Sequence, residues 1–299
     1  MITRLKTNKL WQMGVIGFLF SLLFLFPSFV NAYNYEHVNV TSTVNITDSM
    51  PEILSIDSEQ DITLNAGANT TITCNVTIRD WNGFNDISSV NGTFYYYLNE
   101  SSDPDHRNVH YTNSSCAEIS NDGEFLANYT CSFALAYFAN NGSWECNVTA
   151  EDTFGFTDSA NNTTSINALY ALNVTDVIDF GDLAVTETSS NITVNITNFG
   201  NMDINVSVLG YGQTEGDGIG LICEYGNNIS VENERFSGYQ VPWDNKVPLD
   251  SIAQDMNITI PQATEESNPE IWTSYWQLYV PPNPYGECNG TIRFTATAP

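Results

Sequence analysis

Apolar and polar residues alternate along most of this chain with a period of two. In Thr73-Cys74-Asn75-Val76-Thr77-Ile78, Cys74, Val76 and Ile78 share one face, and Asn75 and Thr77 take the other. In the segment from Asn191 to Thr197, Ile192, Val194 and Ile196 oppose Asn191 and Asn195. The same phase recurs at Cys146-Asn147-Val148, Asn205-Val206-Ser207-Val208, Asn257-Ile258-Thr259-Ile260 and Asn45-Ile46-Thr47. Such alternation marks β-strands with one buried and one wet face, and slipping the register by one residue would bury every one of these asparagines.

After the N-terminal apolar run, no long stretch has a helical period. The apolar runs are short, β-branched or aromatic. Turn pairs separate them: Asn82-Gly83, Asn91-Gly92, Asp122-Gly123, Asn141-Gly142 and Asn289-Gly290. The chain therefore reads as all-β, with two tandem β-sandwich domains. Residues 33–50 are an N-terminal strand or linker, with Val38, Val40, Val44 and Ile46 on one face. The first sandwich spans 51–168, with strands near 53–56, 61–64, 70–79, 90–98, 109–118, 127–138, 143–151 and 163–168. The second spans 172–299, with strands near 173–179, 190–197, 203–209, 220–224, 228–232, 256–260, 274–280 and 288–297. The glycine-rich stretch from Gly210 to Gly220 is a loop. It lacks the lysine of a phosphate cradle and carries Glu215 and Asp217 instead.

Residues 1–32 have the layout of a secretory signal. Arg4, Lys6 and Lys9 precede an apolar run from Met13 to Phe26, Pro27 ends it, and Val30-Asn31-Ala32 offers a small-residue cleavage site. The alternative is an uncleaved signal anchor, since residues 13–30 are just long enough to span a bilayer. The short run and the cleavage site favour removal. Either way the remainder is exported, and contact with a membrane is through the N-terminal segment.

Charge narrows the function. The chain has 35 acidic and 8 basic residues, a formal net charge of −27. Too few cations are present to neutralise a phosphate backbone, which excludes a nucleic-acid partner. At 42% hydrophobic and 12% aromatic residues, the chain has enough apolar surface to build cores. Six cysteines without a CxxC pair read as disulfides of an oxidising compartment rather than a zinc or redox site. Asn-x-Ser/Thr sequons are dense: Asn39, Asn45, Asn69, Asn75, Asn91, Asn99, Asn113, Asn128, Asn141, Asn147, Asn161, Asn162, Asn173, Asn191, Asn195, Asn205, Asn228, Asn257 and Asn289. The strand parity above turns many of them to the wet face, which points to glycosylation at several.

Two segments carry a resemblance. Cys74 lies mid-strand, and Trp144-Glu145-Cys146-Asn147-Val148-Thr149-Ala150-Glu151-Asp152 follows later. Together they resemble strands B and F of immunoglobulin-like and cadherin-like sandwiches, with Trp144 standing where the corner tyrosine does. Farther on, Asp179-Phe180-Gly181-Asp182-Leu183 precedes a strand and the turn Asn198-Phe199-Gly200-Asn201. This start of the second sandwich is similar to that of TasA-like and camelysin-like fibre proteins and of archaeal bundling-pilus subunits. The whole resembles the tandem-sandwich secreted surface proteins of archaea. Four cysteines of the first domain allow three pairings. The resemblance implies Cys74 with Cys146 as the inter-sheet bridge, which leaves Cys116 with Cys131. Cys223 and Cys288 are the cysteines of the second domain and pair with each other.

The cadherin-like resemblance also implies calcium. Asp80, Asn82 and Asp86 cluster after the Cys74 strand, and Asp152 ends the Cys146 strand, so one pole of the sandwich offers several oxygen ligands. The alternative is a set of solvated Asx turns. His106 and His110 beside Asp103 and Asp105 have a zinc-like spacing only on a helix, which Pro104 argues against. No Gly-x-Ser-x-Gly elbow is present, no cysteine is left over as a nucleophile, and Glu265-Glu266 reads as loop charge rather than a glycosidase pair. Among the aromatics from Trp272 to Tyr285, alternation turns Trp272 and Trp276 inward and Tyr275 and Tyr279 outward, where they could stack on a sugar or a neighbour.

The expected function is thus that of an exported, N-glycosylated, non-enzymatic structural or assembly protein of the envelope or an appendage. It would assemble with itself through residues 33–50, or meet other surface proteins or glycans. An adhesin is the alternative, and a secreted hydrolase the least supported.

Overall fold

The computed structural model describes residues 39–265 and 269–299. The signal segment, residues 33–38 and Glu266 lie outside the described residues. Residues 47–299 form one compact unit that contains both sandwiches. Residues 39–46 are exposed throughout, and no strand forms over 39–50. The extended strand expected there is absent over the described part, where it pairs with no strand among the described residues.

In the first sandwich one sheet has the order β1-β2-β6-β5, formed by Glu52–Ser58, Thr70–Arg79, Leu126–Leu135 and Ala117–Asn121. The other has the order β4-β3-β7-β8, formed by His110–Asn113, Ile87–Tyr96, Gly142–Asp152 and Thr157–Ile166. All pairings within these sheets are antiparallel. On β2, Ile72, Cys74, Val76 and Ile78 are buried while the residues between them reach solvent. On β7 the buried positions are Trp144, Cys146, Val148, Ala150 and Asp152. Full burial of such an apolar side chain contributes about 1.5–3 kcal/mol, and two alternating faces brought together make the core.

The Cys74–Cys146 bridge joins β2 of one sheet to β7 of the other. Cys116, just before β5, is bridged to Cys131 on β6. Gly92 of β3 packs against that second bridge. A Cβ there would lie 2.9 Å from Cys131 Cβ and Sγ, so Asn91-Gly92 is a mid-strand contact and not the turn its dipeptide suggests. Trp144 stacks on Phe94 with centroids 4.9 Å apart, and its indole N–H donates to the Asn140 carbonyl at 2.8 Å.

Two strand expectations fail here. The stretch 61–64 is reduced to a single bridge between Ile62 and Ile166. The 109–118 strand breaks into β4 and β5, because Cys116 turns inward, its N–H donating to the Val90 carbonyl at 2.8 Å.

In the second sandwich the larger sheet has the order β15-β14-β17-β10-β9. Its strands are Val247–Pro248, Glu234–Ser237, Ile271–Leu278, Ile192–Asn198 and Leu172–Val174. Opposite lie β16-β11-β19, formed by Gln254–Ile260, Ile204–Tyr211 and Thr291–Thr297. The set β13-β12-β18, formed by Ile229–Ser230, Ile219–Tyr225 and Tyr285–Asn289, completes the domain. Cys223 and Cys288 are directly opposed on β12 and β18 and are bridged. The expected 173–179 strand stops at Val174, and β14 has no counterpart in the sequence reading. The short 3-10 turn Val231–Asn233 interrupts the alternation just before it.

The turn from Asn198 to Asn201 joins the two sandwiches. Asn198 is buried, and its amide donates to the carbonyls of Met202, Ile260 and Pro261. The Asn201 amide donates to the carbonyls of Ala139 and Asn167, both at 3.0 Å. Phe199 lies over Gly67, whose φ is 64° and where an added Cβ would fall 2.3 Å from the ring. Asn108 donates to Phe138 and Ala263, one from each sandwich. Buried amides that bond both sides fix the junction more firmly than apolar contact alone.

Candidate metal centre

Four aspartates meet at one pole of the first sandwich. Asp80 follows the end of β2, Asp86 precedes β3, Asp152 ends β7, and Asp48 comes from the segment that leads into β1. Carboxylate oxygens of Asp48, Asp86 and Asp152 lie within 4.8 Å of one another. Two oxygens bound to one calcium at 2.3–2.6 Å are at most about 5 Å apart, so this spacing fits a single ion. Among the described residues this is the only such group of three potential ligands.

The pole is built so that the carboxyls are half used. Asp80 Oδ1 accepts from the Asn82 N–H at 2.8 Å. Asp152 Oδ1 accepts from the N–H groups of Phe154 and Phe156, each at 2.9 Å. Asp86 Oδ1 accepts from the Thr153 hydroxyl, and the Asp86 carbonyl accepts from the Thr153 N–H at 2.8 Å. The Oδ2 atoms of Asp48, Asp80, Asp86 and Asp152 are all buried and have no hydrogen-bond partner among the described residues. Asp80 is 0% and Asp152 1% exposed. Buried carboxylate oxygens without donors are costly, and a cation removes that cost. The set is oxygen-only, the chemistry of a hard cation such as calcium and not of zinc.

Electrostatics agree with this reading. Burial pushes the Asp48 carboxyl above the ordinary aspartate range, and the neighbouring carboxylates of Asp86, Asp152 and Asp80 add to the shift. Burial likewise raises Asp80, with Asp86 and Asp152 contributing, against a lowering by the Asn82 N–H.

Of the residues expected at the pole, the structure brings Asp80, Asp86 and Asp152 there and adds Asp48. Asn82 is exposed, and its Oδ1 accepts from the Ser49 N–H at 2.8 Å, so it anchors the leading segment instead of facing the pole. Asp48 takes the position that Asn82 was expected to fill. No local signal in Thr47-Asp48-Ser49 marks it, since it arrives through that one tertiary hydrogen bond.

The other candidates fall elsewhere. His106 and His110 close a tight turn, with His110 N–H donating to the His106 carbonyl at 2.7 Å. His110 is buried beside Tyr95 and contacts Asp105 through Nδ1 at 3.0 Å. Tyr275 and Tyr279 alternate with the buried Ser274, Trp276, Leu278 and Val280, so they lie on the face away from the core and are half-buried there. Lys246 lies over the Tyr275 ring and Trp243 packs on Tyr279, so they form no open aromatic row. Trp276 is in the core, and Trp272 is partly buried. The exposed aromatic pair is Tyr225 with Tyr285, stacked at 5.0 Å. Asp217 organises the loop between β11 and β12, accepting from the N–H groups of Gly212, Gln213, Thr214 and Ile219. Those bonds hold its carboxyl down at about 2. Every sequon asparagine is exposed or half-buried.

No protein-family model matches the chain, and no curated protein matches it. Solved structures overlap it loosely. One is the CsuC–CsuE chaperone–tip adhesion subunit pre-assembly complex of archaic Csu pili from Acinetobacter baumannii. It is 10% identical over 81% of this chain and 99% of that one, with a TM-score of 0.36. Another is a carbohydrate-binding module of the β-sandwich superfamily, 10% identical over 85% and 98%, with a TM-score of 0.25. A tandem pair of titin immunoglobulin domains is 12% identical over 83% and 96%, also with a TM-score of 0.25. Overlaps this loose carry nothing about activity.

Proposed function

We propose that this chain is an exported, non-enzymatic cell-surface protein, a structural or assembly module that takes up calcium at one pole of its first sandwich. The observation that carries the reading is the pole itself: carboxylate oxygens of Asp48, Asp86 and Asp152 lie within 4.8 Å of one another, and their Oδ2 atoms and that of Asp80 are buried without a hydrogen-bond partner among the described residues. Calcium takes six to eight oxygens, so carboxylates there would be completed by carbonyls or water. The cation's chemistry at this place is charge neutralisation. Asp48 belongs to the segment that leads into β1, so binding would also fix residues 47–50 against the loops after β2 and β7.

Three disulfides fit an oxidising compartment. Solvent-reaching sequon asparagines fit glycosylation. Dense sequons and few lysines also fit the archaeal surface proteins that the sequence resembles. Val40, Val44 and Ile46 are 85%, 82% and 83% exposed, apolar side chains left uncovered by the described residues. Assembly with a second copy through residues 33–50, adding a strand to an open sheet edge, would cover them. The adhesin reading has one observation of its own, the exposed Tyr225–Tyr285 stack, which offers a face to a sugar ring.

The test is thermal melting of the exported protein in millimolar calcium and in chelator, with terbium luminescence as a direct probe of the pole. Calcium should raise the melting temperature, and Asp152→Asn should abolish both the rise and the luminescence. Identical melting curves together with no luminescence would remove the cation from the proposal.

A further inference from the structure

The second sandwich contains a cleft of about 1110 Å3, bounded by residues 174–185, β18, β19 and the inner ends of β12, β14 and β17. Its lining includes five acidic side chains, those of Asp176, Asp179, Asp182, Glu234 and Glu287, and no lysine, arginine or histidine. Four of the five are exposed, whereas Glu234 is only 1% exposed. Glu234 shares strand parity with Phe236 and so turns into the sandwich, where Gly220 leaves room. A Cβ on Gly220 would lie 3.4 Å from the Glu234 carboxyl carbon.

Glu234 forms no ion pair with a basic side chain among the described residues. Its Oε2 is buried without a hydrogen-bond partner among the described residues. The two nearest basic residues along the chain are engaged elsewhere. Arg235 lies over the Trp243 ring at 4.6 Å and donates to the Trp243 carbonyl. Lys246 donates to the Tyr275 carbonyl at 3.2 Å. Part of the cleft lining is apolar: Ile229, Leu278 and Val280 are buried and line it, and Phe180 and Phe294 line it as well.

The missing partner is thus a hydrogen-bond donor with positive charge and a hydrocarbon body. An ammonium group brings three donors to one acid, and an aliphatic stem covers the apolar wall. A sugar brings hydroxyl donors but no charge to pair with a buried carboxylate. We propose that this cleft binds an aliphatic ammonium ion, supplied by a free amine or by the lysine side chain of a partner, with Glu234 as its buried counter-ion.

Two further features suit that ligand. The stacked Tyr285 at the rim presents an aromatic face to a cation. The acidic lining concentrates cations ahead of contact. Burial also raises the Glu234 carboxyl to about 7 in the empty cleft, a shift that a bound ammonium would reverse.

The experiment is a titration of the exported protein with n-butylammonium chloride, followed by calorimetry and by backbone amide NMR. Controls are 1-butanol, which has the same stem without the charge, and glucose. Butylammonium should bind and shift the amides of Gly220, Glu234 and Leu278, and the two neutral probes should not. In Glu234→Gln its affinity should fall about tenfold or more, as when a buried charge loses its partner. The NMR shifts locate the site in the unsubstituted protein, so the test stands even if that variant folds poorly. A second arm uses a glycine-flanked single-lysine peptide. Binding of the peptide as tight as that of butylammonium assigns the cleft to a partner's lysine, and binding of the free amine alone assigns it to a small amine. Equal binding of 1-butanol, undiminished binding to a folded Glu234→Gln, or no binding of either amine probe would overturn the proposal.

Discussion

The Ser49 N–H donates to Asn82 Oδ1 at 2.8 Å, and this bond brings the segment before β1 to the loop after β2. Asp48, its neighbour, thereby joins Asp86 and Asp152 within ligand spacing. Asn82→Ala should therefore weaken calcium binding without touching a ligand. Losing one hydrogen bond of about 1 kcal/mol predicts a roughly fivefold weaker affinity. Residues 46–50 should become more sensitive to protease even with calcium present. Calorimetry and timed proteolysis measure the two effects.

Asp80→Asn should change stability in opposite directions with and without calcium. The raised carboxyl of Asp80 means that the native state holds its proton more tightly than the unfolded chain does. Stability from such a group is present at low pH and is lost as pH rises through the folded value. Without calcium at neutral pH, the substitution removes a repelled buried charge and should raise the melting temperature. With calcium it removes a ligand and should lower it. Melting curves in chelator and in calcium decide this, and a shift of the same sign in both would separate Asp80 from the cation.

Glu234 gives the second sandwich its own pH dependence. Its carboxyl is raised from 4.5 to about 7 by burial, so it stabilises the fold at acid pH and that stability is lost between those values as the pH rises. At about 1.4 kcal/mol per unit, the loss is on the order of 3 kcal/mol. Chemical denaturation at pH 5 and pH 8 should show the difference in the unsubstituted protein and much less of it in Glu234→Gln.

Gly92→Ala should destabilise the first sandwich although it lies mid-strand. The new methyl would meet Cys131 Cβ and Sγ at 2.9 Å, and a bridged cysteine cannot swing aside. Overpacking of this kind costs about 1–3 kcal/mol. Denaturant titration measures it, and an unchanged midpoint would mean that the two sheets can separate locally.

Deletion of residues 33–46 retains Asp48 and so leaves the metal pole intact. The truncated protein should keep its calcium-dependent melting. If residues 33–46 carry assembly, multimers seen by light scattering should disappear. Persistence of those multimers would place assembly on another surface, and loss of the melting response would show that the segment supports the pole.

Period-two patterning made much of the fold legible. Strand β2 was readable from Thr70 to Arg79, because each inward residue is apolar and each outward one is polar. Outward sequon asparagines were readable for the same local reason, whereas the Cys74–Cys146 pairing was implied by the resemblance and spans 72 residues. Strand β8 was not readable over most of its length. Thr157-Asp158-Ser159-Ala160-Asn161-Asn162 has no apolar face, and the segment is a strand because β7 supplies its hydrogen bonds. Asp80, Asp86 and Asp152 were visible as acids near strand ends. Asp48 was not, because a hydrogen bond between distant residues brings it there. Nor was Glu234, because the turn at Val231–Asn233 resets the strand parity that decides which way it points. The sequence by itself determined the strand faces, which depend on near neighbours, and the acidity, which depends on composition alone. Only the tertiary structure decided which carboxyls lose their water together, because burial and like-charge repulsion depend on distances through space.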